Sequence, residues 1–174
     1  MKISRPTATE YDVNSYQHLY IQRVTGNDAL KTLSENTLIV DTFFKNISEE
    51  KLHFRYAEGK WTPLEMLGHI IDTEKILLYR ALSVARGEKQ SLLGFEEEDY
   101  VRATNFDKKS LRSLLLQFKA QRKSTVLFFK SLGKRELSRM GKANQLPTNA
   151  RVLAWFIAGH ELHHLEILKK RYLS

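Results

Sequence analysis

The sequence predicts an all-α protein, a four-helix bundle with an N-terminal arm and long interhelical loops. Two observations carry this. Four long segments repeat their apolar residues at helical spacing, and alternating β-branched runs bounded by turn pairs are almost absent. Four helices of similar length without a sheet find their burial against one another. With 174 residues the chain reads as a single domain, 1–174, in which residues 1–27 form the arm.

The first helix is expected over about 28–46, where Leu30, Leu33, Thr37, Val40 and Phe44 make one apolar stripe. The second opens at "WTPLE": Thr62 can cap, Pro63 suits the first helical position, and Glu65 can reach back to complete a capping box. It runs to Arg86 and stops at Gly87. The third, about 107–132, starts at Asp107, carries Leu111, Leu114, Phe118, Thr125 and Phe129 on one side, and ends at Gly133. The fourth runs from about Thr148 to Tyr172, preceded by Pro147 and closed by Lys169, Lys170 and Arg171, whose charges suit a helix C-terminus. The connection "GEKQSLLGFEEEDYVRATN" is longer than a bundle needs, which marks a lid or a partner surface. Tyr11, Tyr16 and Tyr20 place the arm along the bundle.

The chain has no cysteine, which excludes disulfides, thiolate metal sites and a cysteine nucleophile of its own; any metal must rest on His, Asp or Glu. No segment approaches the roughly 20 apolar residues that span a bilayer, nor does the N-terminus hold an apolar stretch of signal-peptide length, so a cytoplasmic protein without membrane partners is expected. The formal net charge of +8 is local. Between Arg102 and Lys142 twelve Lys or Arg face two acids, Asp107 and Glu136, and the remainder of the chain is slightly acidic. Lys108, Arg112, Lys119, Lys123 and Lys130 share a face of the third helix. Without aromatic residues interleaved on that face, a solvated surface ranks above nucleic-acid binding.

The segment "GHELHH", residues 159–164, holds H-E-x-x-H. Residues four apart lie about 40° apart around a helix, so His160 and His164 project side by side. Leu153, Phe156, Ile157, Ile167 and Leu168 lie around them on the helical wheel, so both imidazoles point into the apolar stripe. A lone core histidine ordinarily hydrogen-bonds a neighbour; two together need partners for four nitrogens, which a shared metal relieves. His163, on the other side, is the weaker candidate, and His18 and His53 receive no role. A zincin protease would take its third ligand after the helix and hold its substrate along a sheet edge. Only Glu166 follows, on the far side of the helix, and no sheet is expected. The best third ligand is therefore His69, in "LGHIIDTE", with Glu65, Asp72 and Thr73 at helical spacing around it and Gly68 allowing close helix approach. Three imidazoles with open positions are the arrangement that catalytic zinc uses.

At these residues the chain resembles the DinB/YfiT-like family of bacterial four-helix metalloproteins. The resemblance rests on "GKWTPLEMLGHIIDTE", "GFEEEDYVRATNF" and "RVLAWFIAGHELHHLEIL", which together extend over nearly the whole chain. It implies a divalent metal, zinc or nickel, on His69, His160 and His164, and a homodimer. It also implies metal-dependent hydrolysis of a small molecule or thiol S-transfer with a low-molecular-weight thiol of the bacillithiol, mycothiol or glutathione type. The expected chemistry is activation of an exogenous nucleophile, with Phe95, Tyr100 and Phe106 on a loop covering the substrate. Glu161, Glu65 and Asp72 compete as the assisting acid, and no catalytic residue is assigned. The alternatives are a non-catalytic, metal-stabilised, stress-related binding module, with Asp72 or Glu65 closing the site, and nucleic-acid binding through the basic helix.

Overall fold

The structure of the chain, a computed structural model, describes residues 2–173; the outermost residues of the predicted arm and domain, Met1 and Ser174, lie outside them. In chain order the elements are α1 (Tyr16–Ile21), α2 (Ala29–Asn46), α3 (Glu49–Leu52), α4 (Pro63–Arg86), α5 (Glu97–Arg102), a 3-10 turn (Phe106–Lys108), α6 (Leu111–Ser131), α7 (Lys134–Ser138), β1 (Gly141–Ala143), β2 (Leu146–Thr148) and α8 (Ala150–Tyr172). Helices α2, α4, α6 and α8 form the bundle. Both α2 and α4 pack against α6 and α8, so these two, neighbours along the chain, stand at opposite corners.

Three of the four long helices begin as their sequences predict. Asp28 caps α2 by accepting from the Leu30 amide, and Thr62 and Glu65 form the capping box of α4. For α8 the cap is Asn149, one residue beyond the predicted start. The start of α6 differs. Asp107 lies in the 3-10 turn, and Ser110 caps the helix by accepting from the Ser113 amide. A serine oxygen reaches the N3 amide as well as an aspartate does, so Ser110 serves where Asp107 was expected. The hairpin of β1 and β2 is unpredicted. Its turn puts Asn144 and Gln145 at positive φ, 50° and 62°, the geometry of a two-residue hairpin loop usually announced by Asn-Gly.

The core has two apolar halves. Leu30, Leu33, Leu77, Phe129 and Trp155 belong to one, Val40, Phe44, Leu67, Phe118 and Leu168 to the other. On each helix a buried polar residue stands between them in the sequence: Asn36 on α2, Glu74 on α4, Arg122 on α6 and Glu161 on α8. The bundle is thus crossed by a polar layer at mid-height. The arm packs along α8. Its Ile3, Ile21 and Val24 are buried, and the Trp155 Nε1 donates to the carbonyls of Ile3 (3.2 Å) and Ser4 (2.9 Å). Close packing of α1 depends on Gly159. A Cβ there would stand 1.9 Å from the Tyr20 carbonyl oxygen, inside any permissible contact.

Candidate metal centre

His69 on α4 and His160 and His164 on α8 converge inside the bundle, all buried. Their Nε2 atoms lie 3.0 Å (His69–His160), 3.2 Å (His69–His164) and 3.1 Å (His160–His164) apart. Each ring can bring one N–H to this triangle, and a proton shared between two rings leaves the third lone pair unanswered. A single cation answers all three. The spacings approach the ~3.3 Å expected between nitrogens on a zinc ion with tetrahedral bonds of about 2.0–2.1 Å. Burial pushes the pKa of His69 down to about 4, with His163 adding to the effect, and holds His160 and His164 well below the ordinary value of 6.5, helped by the neighbouring imidazoles. The lone pairs are therefore free at neutral pH. Among the described residues His164 Nδ1 is buried without a hydrogen-bond partner, and His69 Nδ1 has only a long 3.5 Å contact to Thr73 Oγ1. The residues present fit a divalent ion held by three imidazoles.

The rings are positioned by what packs on them. Trp61 lies over His69, with ring centroids 4.7 Å apart; its carbonyl accepts from the Tyr172 hydroxyl and its Nε1 donates to Glu98 at 3.0 Å. Tyr20, from the arm, meets both His160 and His163 edge-on at 5.4 Å. The close approach allowed by Gly159 brings this tyrosine to the site. At Gly68 the close partner is not a helix, as predicted, but the ring of Phe106, 2.3 Å from where a Cβ would stand.

The three nitrogens face a cavity of about 390 Å³ whose lining includes Tyr16, Tyr20, Trp61, Arg80, Phe95 and Phe156. Of the three loop aromatics expected over the substrate, Phe95 lines this cavity, Tyr100 lines an adjoining depression, and Phe106 is buried in the core under α4. The flat core surface offered by Gly68 explains that last departure. His163 sits half-buried on the cavity wall, outside the converging set.

None of the candidate acids reaches the triad's open side. Glu65 is engaged by its capping box and by both terminal nitrogens of Arg55, at 2.6 and 2.8 Å. Asp72 pairs with Lys75 at 3.1 Å. Glu161 turns to the bundle axis, where its Oε2 accepts from Arg122 (2.8 Å) and Asn36 (3.2 Å). The glutamate of H-E-x-x-H thus belongs to the polar layer, whereas its histidines belong to the cavity. Glu166 is outside the site, paired with Arg23 and Lys170, as the helical wheel predicts.

Residues 32–168 match the sequence pattern of the DinB superfamily. The chain belongs to the DinB superfamily. Its fold is similar to that of YfiT from Bacillus subtilis, described as "a probable metal-dependent hydrolase with an unusual four-helix bundle topology". The TM-score is 0.72 at 13% identity, over 95% of this chain and 98% of YfiT. A DinB-like protein of the same organism, YjoA, aligns with a TM-score of 0.58 at 15% identity, over 83% of this chain and 90% of its own. No curated protein sequence matches the chain. Among the described residues no helix is long and apolar enough to cross a membrane.

The cavity wall contains residues that the sequence reading left out. Trp61 stood in view as the head of the capping-box motif, and Tyr20 as part of the arm, but neither position carries a periodic signal pointing at His69 or His160. Arg80 could have been found. It follows His69 by eleven residues, which returns it to within about 20° of the same helix face.

Proposed function

We propose that this protein is a metal-dependent enzyme acting on a small molecule, with His69, His160 and His164 holding one divalent ion, zinc or nickel, at the floor of the cavity. Bound there, the ion supplies Lewis acidity to activate water or an exogenous low-molecular-weight thiol. The observation that carries this reading is the convergence of three buried imidazoles on one point beside a cavity large enough for a small ligand. The description of YfiT as a probable metal-dependent hydrolase supports it.

The chain's own groups exclude water from three sides of the triad. Trp61, Tyr20 and Phe156 wall it, and their rings keep the imidazoles from turning away. A purely structural ion would want a fourth protein ligand. The two acids that might have supplied one, Glu65 and Asp72, are committed elsewhere, which favours a site with positions left for reactants. The test is a screen of metal-stripped and zinc- or nickel-reloaded protein against ester, amide and electrophilic substrates, with and without added thiol. Turnover that disappears with chelator and returns with metal is expected. Hydrolysis without thiol selects the hydrolase branch and thiol-dependent conjugation the transferase branch. Metal-independent turnover, or a reloaded protein inert in every arm, contradicts the proposal.

A further inference from the structure

We propose that the cavity takes substrates through an anionic group, carboxylate or phosphate, seated on Arg80, with the other end of the molecule at the three histidines. The inference rests on the cavity described above and extends it to a substrate class.

Arg80 is only 4% exposed, and its side chain lines the cavity. A buried guanidinium normally has a carboxylate beside it. Arg122, 3% exposed, has two, Glu74 and Glu161. Arg80 has none. Its Nη2 donates to the Leu93 carbonyl at 2.6 Å, and its guanidinium carbon stands 5.7 Å from the centre of the Phe95 ring. Glu96 and Glu97, on the cavity rim, are exposed and form no ion pair with it. One of five donors is therefore used, and the charge is uncompensated among the described residues. Burial lowers the Arg80 pKa, opposed only by the Tyr16 and Tyr100 hydroxyls. An uncompensated cation in such a place is expensive to hold, and an arriving anion recovers the expense through charge-assisted, bidentate hydrogen bonds. If Arg80 served only to pin the loop at Leu93, the single hydrogen bond could come from a neutral side chain and the charge would be superfluous.

The placement also sets a length. Eleven residues are three turns of α4, so Arg80 stands on the same face as His69 about 16 Å along the helix, less what the two side chains span. Thr73 and Leu77 line the wall between them. A linear molecule of about six carbons, anionic at one end, bridges that interval.

Isothermal titration calorimetry tests this with hexanoate, hexyl phosphate and hexanol on metal-stripped protein, and with 6-mercaptohexanol on stripped and zinc-loaded protein. At least one anion should bind about tenfold or more tightly than hexanol. The preference should shrink to within about twofold in Arg80→Gln and survive in part in Arg80→Lys, while hexanol binding stays unchanged and so reports an intact cavity. Preference for hexanoate or for hexyl phosphate assigns the anion. Equal binding of the anions and hexanol, or an undiminished preference in Arg80→Gln, overturns the proposal. The thiol arm reports on the metal alone. A thiol that gains nothing from zinc counts against the metal reading and leaves the charge preference as a separate result.

Discussion

Two polar clusters share the interior of this bundle, and they solve the cost of burial in opposite ways. At the bundle axis, one residue from each long helix meets its neighbours. Arg122 donates from Nε and Nη2 to both oxygens of Glu74 (3.0 and 2.9 Å), from Nη2 to Glu161 (2.8 Å) and from Nη1 to the Leu33 carbonyl (2.7 Å). Asn36 donates to Glu161 and to the Ala158 carbonyl. Burial works against the Arg122 cation, but Glu161 and Glu74 outweigh it and hold its pKa above the ordinary value. Burial raises the pKa of Glu161, with Arg122 opposing, and its Oε1 is buried without a hydrogen-bond partner among the described residues. On the cavity side, His69, His160 and His164 aim like groups at one another. The first cluster pairs its charges internally; the second sets like groups against one another. Burial of polar groups is thus no sign of function in itself. The sign is burial with the valences unmet.

This contrast can be broken most forcefully at Arg122. Replacement by Met leaves Glu74 and Glu161 buried without their cation, and should cost about 3–5 kcal/mol in urea denaturation of the metal-free protein. A loss below about 1 kcal/mol would mean that the axial cluster is not the self-sufficient element described here. Next in size is Gly159→Ala. The added carbon meets the Tyr20 backbone, so α1 must shift, at about 1–3 kcal/mol, and Tyr20 must move from the rings of His160 and His163. Denaturation together with faster proteolysis within residues 2–27 would register both effects. His69→Leu sharpens the difference between the clusters. It removes a buried imidazole whose nitrogens lack good partners, so metal-free stability should change by no more than about 1 kcal/mol, in either direction. A loss as large as that of Arg122→Met would show the triad to be a structural network. Smallest is Lys119→Ala, which breaks a surface pair with Asp41 at 2.6 Å and should cost about 0–1 kcal/mol by the same denaturation.

Legibility in the sequence follows the range of the interaction. Capping chemistry and apolar spacing act within a few residues, which is why Thr62 and Glu65 are found where they were expected. The H-E-x-x-H spacing placed His160 and His164 together, and elimination of other donors led to His69 from another helix. What escaped is set by contacts between distant segments. Glu161 was counted among candidate bases because it adjoins a histidine, yet a helix turns each successive residue by about 100°, and Arg122 on α6 claims it. Phe106 was read as part of a lid, yet the bare backbone of Gly68 gave its ring a place in the core. The hairpin at 141–148 escaped because its turn is Asn-Gln, a pair that reaches positive φ only with help from its surroundings.

The account stands on the three imidazoles acting together on one ion. Equilibrium zinc titration of metal-stripped protein, in competition with a chromophoric chelator, addresses this most directly. The expected result is one equivalent per chain, with affinity lowered by about 100-fold or more in each of His69→Leu, His160→Leu and His164→Leu, beyond what loss of a supporting residue costs, and little changed in His163→Leu. Zinc affinity in His69→Leu equal to that of the unaltered chain would contradict it.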